Sequence, residues 1–182
     1  MDVLDLPAAA AWEGWLEAHH GERTEAWLRI AKRHSGLASI SITDALDGAL
    51  CFGWIDGQRR GLDDVSFLQR YSRRRPRSSW SQVNTAKVDA LTAAGRMRPA
   101  GLAEVAAARA DGRWAGAYAP QRAGVVPPDL VAALDADPRA RAAFDGLGRS
   151  ARYAVVLPVL KARTDAARAR VLERAVAALA RA

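Results

Sequence analysis

The sequence predicts an α+β fold: a small antiparallel sheet of about three strands packed by helices, with a mostly helical C-terminal half. Three observations carry this prediction. Before residue 73, apolar and polar residues alternate in two short stretches, the period of half-buried strands. Elsewhere apolar residues recur at three- and four-residue spacing, the period of helices packed on one face. Half of the 182 residues are hydrophobic, enough for a real core. We expect one domain over 1–182, with an α+β part over 1–125 and a helical part over 126–182.

The elements follow in order. Residues 8–20 form a helix, because Trp12, Trp15 and Leu16 share a face at i, i+3 and i+4. His19-His20-Gly21 ends it. In Glu25 to Arg33, Trp27, Leu28 and Ile30 suit a strand with one buried face. Thr43 is the expected N-cap of a second helix, striped by Ala45, Leu46, Ala49 and Leu50 and stopped at Gly53. Trp54-Ile55-Asp56 leaves it as a strand. Ser66 to Ser72 alternates again, with Phe67, Gln69 and Tyr71 facing one way. So small a sheet needs helices against it.

Pro76 keeps Arg75 out of helical conformation. Ser79-Trp80-Ser81-Gln82 matches a capping box, so Ser79 should start a helix that runs to Ala94 and closes at Gly95. Pro99 opens another, with Leu102, Val105 and Arg109 along it, which stops at Asp111-Gly112. Trp114 and Tyr118 sit in the loop beyond. Pro127-Pro128-Asp129 and Pro138 start two short helices, to Ala136 and towards Leu147. The last apolar series, Tyr153 to Leu179, is kinked or divided at Pro158.

The charge is uneven. The net +7 splits into −4 over residues 1–48, +6 over 49–98 and +5 over 99–182. A basic middle suits an anionic partner, nucleic acid included. The same arginine and alanine enrichment also follows from GC-rich coding without any ligand: 24 of the 27 basic residues are arginine. No apolar run approaches the ~18–20 residues of a membrane span. The acidic start, Met1-Asp2-Val3-Leu4-Asp5, carries no signal-peptide pattern, so a cytoplasmic location is expected. The lone Cys51 leaves no internal disulfide framework.

Chemistry-bearing patterns are few. His19, His20 and His34 match no metal-ligand spacing, and there is no P-loop, G-x-G-x-x-G or G-x-S-x-G. No cofactor or metal is expected. Cys51 lies between Leu50 and Phe52 and reads as a buried packing residue rather than a nucleophile served by His34 and Asp56. The positive signal is the arginine run Arg73-Arg74-Arg75-Pro76-Arg77 with Tyr71 and Trp80 nearby. Guanidinium groups hold phosphate or carboxylate, and aromatic faces stack planar ligands. On an extended segment, Arg73, Arg75 and Arg77 share one face. Arg75 and Arg77 are then the expected contacts, with Arg74 solvated or paired to Asp63 or Asp64. Against this stands a solvated loop, with Trp80 packed inward.

The strings ALCFGWIDG (49–57), RRRPRSSWSQVN (73–84) and GRMRPAGL (95–102) resemble the YdeI/OmpD-associated, or bacteriocin-protection, family. D-G-R-W at Asp111 to Trp114 and P-P-D-L at Pro127 to Leu130 continue the likeness, which covers roughly Trp15 to the C-terminus. The tail follows the family pattern more loosely: Leu160-Lys161, Thr164-Asp165 and Arg170-Val171 stand where the family has Ala-Lys, Glu-Thr-Arg and Arg-Ile. The resemblance implies a link to resistance against bacteriocins and cationic antimicrobial peptides. It supplies no catalytic residues. The family's periplasmic description is at odds with the start of this chain.

The leading expectation is therefore a non-enzymatic binding protein of this type, with an anion-preferring site formed by Trp54, Asp56, Arg75, Arg77, Ser78, Trp80, Ser81 and Asn84. One rival is a nucleic-acid-binding protein that uses the same arginines. Another is an enzyme on a small anionic substrate, with Asp56 as acid/base and Arg75, Ser78, Ser81 or Asn84 holding the anion.

Overall fold

The structure, a computed structural model, describes residues 2–181. It is α+β, with eight α-helices and one open sheet among those residues. The strands are β1 (Val3–Leu4), β2 (Glu25–Ala31), β3 (Trp54–Gly61) and β4 (Ser66–Arg73), in the order β1-β2-β4-β3. The three expected strands are antiparallel neighbours, and the two-residue β1 adds a parallel fourth. So short a strand leaves no period to read. Helical residues outnumber strand residues more than twofold, and no helix among the described residues is long and apolar enough to cross a membrane. The chain divides into an N-terminal unit, residues 1–80 with 84–116, and a C-terminal unit, residues 81–83 with 117–182.

In the N-terminal unit the sheet packs on α1 (Ala9–His19) and α2 (Ile42–Cys51). Trp12 and Leu16 are fully buried on the inner face of α1, and the Trp12 indole donates to the Ala45 carbonyl at 3.0 Å. Ser41, not Thr43, caps α2: its hydroxyl accepts from the Asp44 N–H at 3.0 Å. Gly53 stops the helix at φ +76, a conformation glycine adopts without penalty. The antiparallel register puts Ala26, Leu28, Tyr71 and Gln69 on one face, and Tyr71 meets Trp12 there at 5.7 Å between ring centroids. One extra residue in β3 makes a bulge between Asp56 and Arg59. The buried Gln69 amide fits it, donating to the Gly57 carbonyl at 3.0 Å and accepting from Arg59 Nε at 3.2 Å.

Two more helices follow, α3 (Gln82–Ala93), which belongs to this unit from Asn84 on, and α4 (Pro99–Ala110). The first begins at Gln82, three residues beyond the expected Ser79 cap. The second buries Gly101, Val105 and Ala108, while Leu102 faces solvent, contrary to the expected stripe. Gly101 is required: a Cβ there would stand 2.2 Å from the Cys51 carbonyl oxygen. The Arg98 N–H donates to that same oxygen at 3.0 Å, which satisfies an end carbonyl of α2.

The C-terminal unit holds α5 (Pro128–Asp135), α6 (Pro138–Gly146), α7 (Arg149–Lys161) and α8 (Asp165–Leu179). Leu130, Leu134, Ala140, Phe144, Val156, Val159 and Leu179 form its core. Asp137 caps α6 and Thr164 caps α8. Pro158 does not divide the final series. It lies inside α7, and the break comes after Lys161. Arg168 grips the Asp129 carboxylate with two bonds, at 2.5 and 2.8 Å, and donates to the Val159 carbonyl at 2.9 Å. That guanidinium holds the Asp129 carboxyl below its usual range.

Candidate functional site

The site lies where the chain leaves the sheet. Arg73 closes β4, and its side chain donates to the carbonyls of His20, at 2.8 Å, and Gly21. Arg74 then turns inward and is only 6% exposed. Its guanidinium lies 3.4 Å from the centre of the Trp80 ring and donates to the Ser79 carbonyl at 3.3 Å. This corrects the expectation that Arg74 is solvated or paired with Asp63 or Asp64. Face parity fails beyond Arg73 because the strand ends there.

A second buried arginine supports the same loop. Arg113 is 5% exposed, donates to the Ser78 carbonyl at 3.2 Å and is paired to Asp111 at 2.7 Å. The Trp114 ring meets Trp80 at 5.0 Å, and Arg109 lies 5.0 Å over Trp114. Burying a cation is costly unless something answers its charge. A carboxylate answers Arg113, and a π face lies against Arg74.

What this base carries is a tight turn. The Ser78 N–H donates to the Arg75 carbonyl at 3.0 Å, with Pro76 and Arg77 between them. Proline presets the second turn position, and the third demands positive φ. Arg77 meets that demand at +66° and is the only non-glycine with positive φ among the described residues. Arg75 and Arg77 are both exposed, and neither side chain makes a hydrogen bond or ion pair. The half-buried Ser78 has a buried hydroxyl oxygen with no hydrogen-bond partner.

The remaining expected site residues disperse. Trp54 is 1% exposed and packs edge-on against Trp12 and Trp15. Asp56 stands exposed on β3, opposite Tyr71. Asn84 lies half-buried in the first turn of α3. Ser81 groups with the C-terminal unit, where it bridges Tyr118. Tyr71 and Trp80 are both buried, so neither ring is open for stacking a ligand. Burial, seconded by the Asp56 charge, pushes the Tyr71 hydroxyl well above its usual range. Cys51 is buried too, and burial pushes its thiol up, which suits packing rather than nucleophilic attack.

Sequence reasoning missed Arg113, Asp111 and Trp114 as the supports of this turn. The signal was present, since D-G-R-W follows a helix stop at Gly112, but nothing in it marks the arginine as buried.

Comparison with known proteins divides the chain similarly. No curated protein and no solved structure matches it. Residues 123–182 match the family model described as bacteriocin-protection, YdeI or OmpD-associated, which bears out the family resemblance. The match falls on the tail that follows the pattern more loosely. The strings at 49–57, 73–84 and 95–102 fall instead within a second model, which matches residues 4–104. That model covers more than half of the chain, so the protein belongs to the family described as domain of unknown function DUF8412, while residues 123–182 are similar to the bacteriocin-protection, YdeI or OmpD-associated model.

Proposed function

We propose that this is a non-enzymatic binding protein of the bacteriocin-protection type, whose N-terminal unit holds small anions at the Arg75–Ser78 turn. One observation carries the reading: two unpaired, exposed guanidinium groups sit on a turn held from beneath by buried Arg74 and Arg113. Such preorganisation lowers the cost of ordering long side chains around a phosphate or carboxylate. With Tyr71 and Trp80 buried, the turn lacks the open aromatic platform that single-stranded nucleic acid uses. A small anion is therefore favoured over nucleic acid. A net charge of +7 also argues against direct capture of a cationic peptide at this turn.

The test is titration with inorganic phosphate and single-stranded oligonucleotides at two salt concentrations, for the wild type and for Arg75→Ala/Arg77→Ala. Two phosphate-facing cations predict a log–log salt slope no steeper than about −2. The double variant should bind neither probe. Unchanged binding in the double variant, or no binding by the wild type, would sink the reading. A much steeper slope would point to nucleic acid.

A further inference from the structure

We propose a second binding site, in the C-terminal unit, for a small carboxylate with an apolar body. It is independent of the Arg75–Ser78 turn. A cavity of about 300 Å³ opens beside the start of α7, within the usual size range of small-molecule sites. Its lining includes two arginines and no carboxylate. Arg149 and Arg152 are three residues apart on one side of the helix. Arg149 is exposed, and its side chain makes no hydrogen bond or ion pair. Arg152 rests over Phe144, 5.5 Å from the ring centre, and donates to the Asp145 carbonyl, while its buried Nε has no partner. Two cations thus line one space with no carboxylate among its lining residues to balance them.

Two other polar side chains of the wall already have a partner. The Tyr153 hydroxyl donates to the Ala119 carbonyl at 3.0 Å, and the Gln121 amide donates to Ser150 Oγ at 3.3 Å. They leave the guanidinium groups to select the ligand. No side chain caps α7, so its first backbone N–H groups add to the preference for negative charge.

The rest of the wall is apolar. Val126 and Leu147 back onto the unit's core, and Val125 stands 49% exposed. An inorganic anion would leave this surface wet, and a neutral apolar ligand would leave the arginines unanswered. A carboxylate head on a hydrocarbon body answers both. The space holds about ten water-sized groups, taking roughly 30 Å³ for each. Octanoate has that many non-hydrogen atoms and is the probe of choice.

The experiment is isothermal titration calorimetry on the full chain with octanoate, acetate and octan-1-ol. Octanoate should bind one equivalent, with acetate and octan-1-ol each at least tenfold weaker. Arg149→Gln should weaken octanoate at least tenfold. Val125→Asp, which places a carboxylate at the mouth, should abolish binding. Both positions are exposed, so the fold survives either change. Binding should fade as pH drops through the ordinary carboxyl range near about 4. Arg75→Ala/Arg77→Ala should bind octanoate normally, which separates this site from the N-terminal turn. The proposal is overturned if octan-1-ol binds as tightly as octanoate, if Arg149→Gln binds normally, or if octanoate gives no heat.

Discussion

Both units pair arginines with carboxylates, Arg29, Arg70, Arg96 and Arg113 among those of the N-terminal unit, but that unit also lays guanidinium groups over aromatic rings: Arg59 over Phe67, Arg60 over Trp27, Arg74 over Trp80 and Arg109 over Trp114. In the C-terminal unit Arg141 and Arg168 are held by carboxylates, and Arg152 on Phe144 is the exception. The difference follows from composition. All six tryptophans belong to the N-terminal unit, whereas the buried core of the other is aliphatic apart from Phe144. A cation on a ring stays packed at any pH. A cation on an aspartate loses its partner in acid. The N-terminal unit therefore adds ring-packed arginines to its ion pairs, whereas the C-terminal unit holds its arginines chiefly as halves of titratable pairs.

The sharpest way to break this comparison is to remove a ring. Trp80→Ala should cost about 3–5 kcal/mol, the scale of a large aromatic truncation in a core. The loss includes the face under the buried Arg74 as well as the cavity. Trp80→Phe should recover much of it, because phenylalanine keeps a π face. Urea unfolding followed by tryptophan fluorescence reads both variants, and it reports the N-terminal unit alone. If alanine cost less than about 1 kcal/mol, the ring would not be the support we describe.

A smaller effect is expected from the carboxylate side. Asp129→Asn should cost about 1 kcal/mol at neutral pH, since both partners remain about a third exposed and solvent screens the pair. The sign with pH is set by the depressed Asp129 carboxyl. Its contribution is complete above the unfolded value of about 4 and is lost as pH falls through the lower folded value. The gap between wild type and variant should therefore close as pH falls below the depressed Asp129 value. Far-ultraviolet circular dichroism suits this test, because the C-terminal unit has no tryptophan. A gap that persists in acid would mean Asp129 acts through packing alone.

How much of this was legible beforehand varied with the kind of signal. Helices opened by proline, such as those at Pro99, Pro128 and Pro138, stand where the sequence put them, because proline at a helix start is a local constraint. The strand at Ser66–Arg73 was readable from its alternation. Cys51 was readable as buried from its apolar neighbours. The caps were less so: Ser41, Thr43, Ser79 and Ser81 are all plausible by residue type, and tertiary packing chooses among them. Least legible was the turn. Nothing local says that Arg74 goes in while Arg75 and Arg77 stay out, because its burial depends on Trp80, and the loop it supports depends also on Arg113, 39 positions away by number. Charge density marked the segment, and only long-range packing sorted its arginines.

The smallest expected effect tests that sorting at Arg77. A non-glycine residue in left-handed conformation costs roughly 1–2 kcal/mol, which glycine avoids. Glycine also raises the entropy of the unfolded chain, which offsets part of the gain. Arg77→Gly should therefore stabilise the N-terminal unit by no more than about 1 kcal/mol. The same change removes one of the two free guanidinium groups, so phosphate binding should weaken while stability rises. That opposition is the useful signature, because an arginine kept for packing would lose stability when removed. Arg75→Ala is the control: its backbone carries no positive φ, so binding should fall with stability unchanged. If Arg77→Gly lost stability, Arg77 would belong with Arg74 as part of the packing, and the turn would present a single cation.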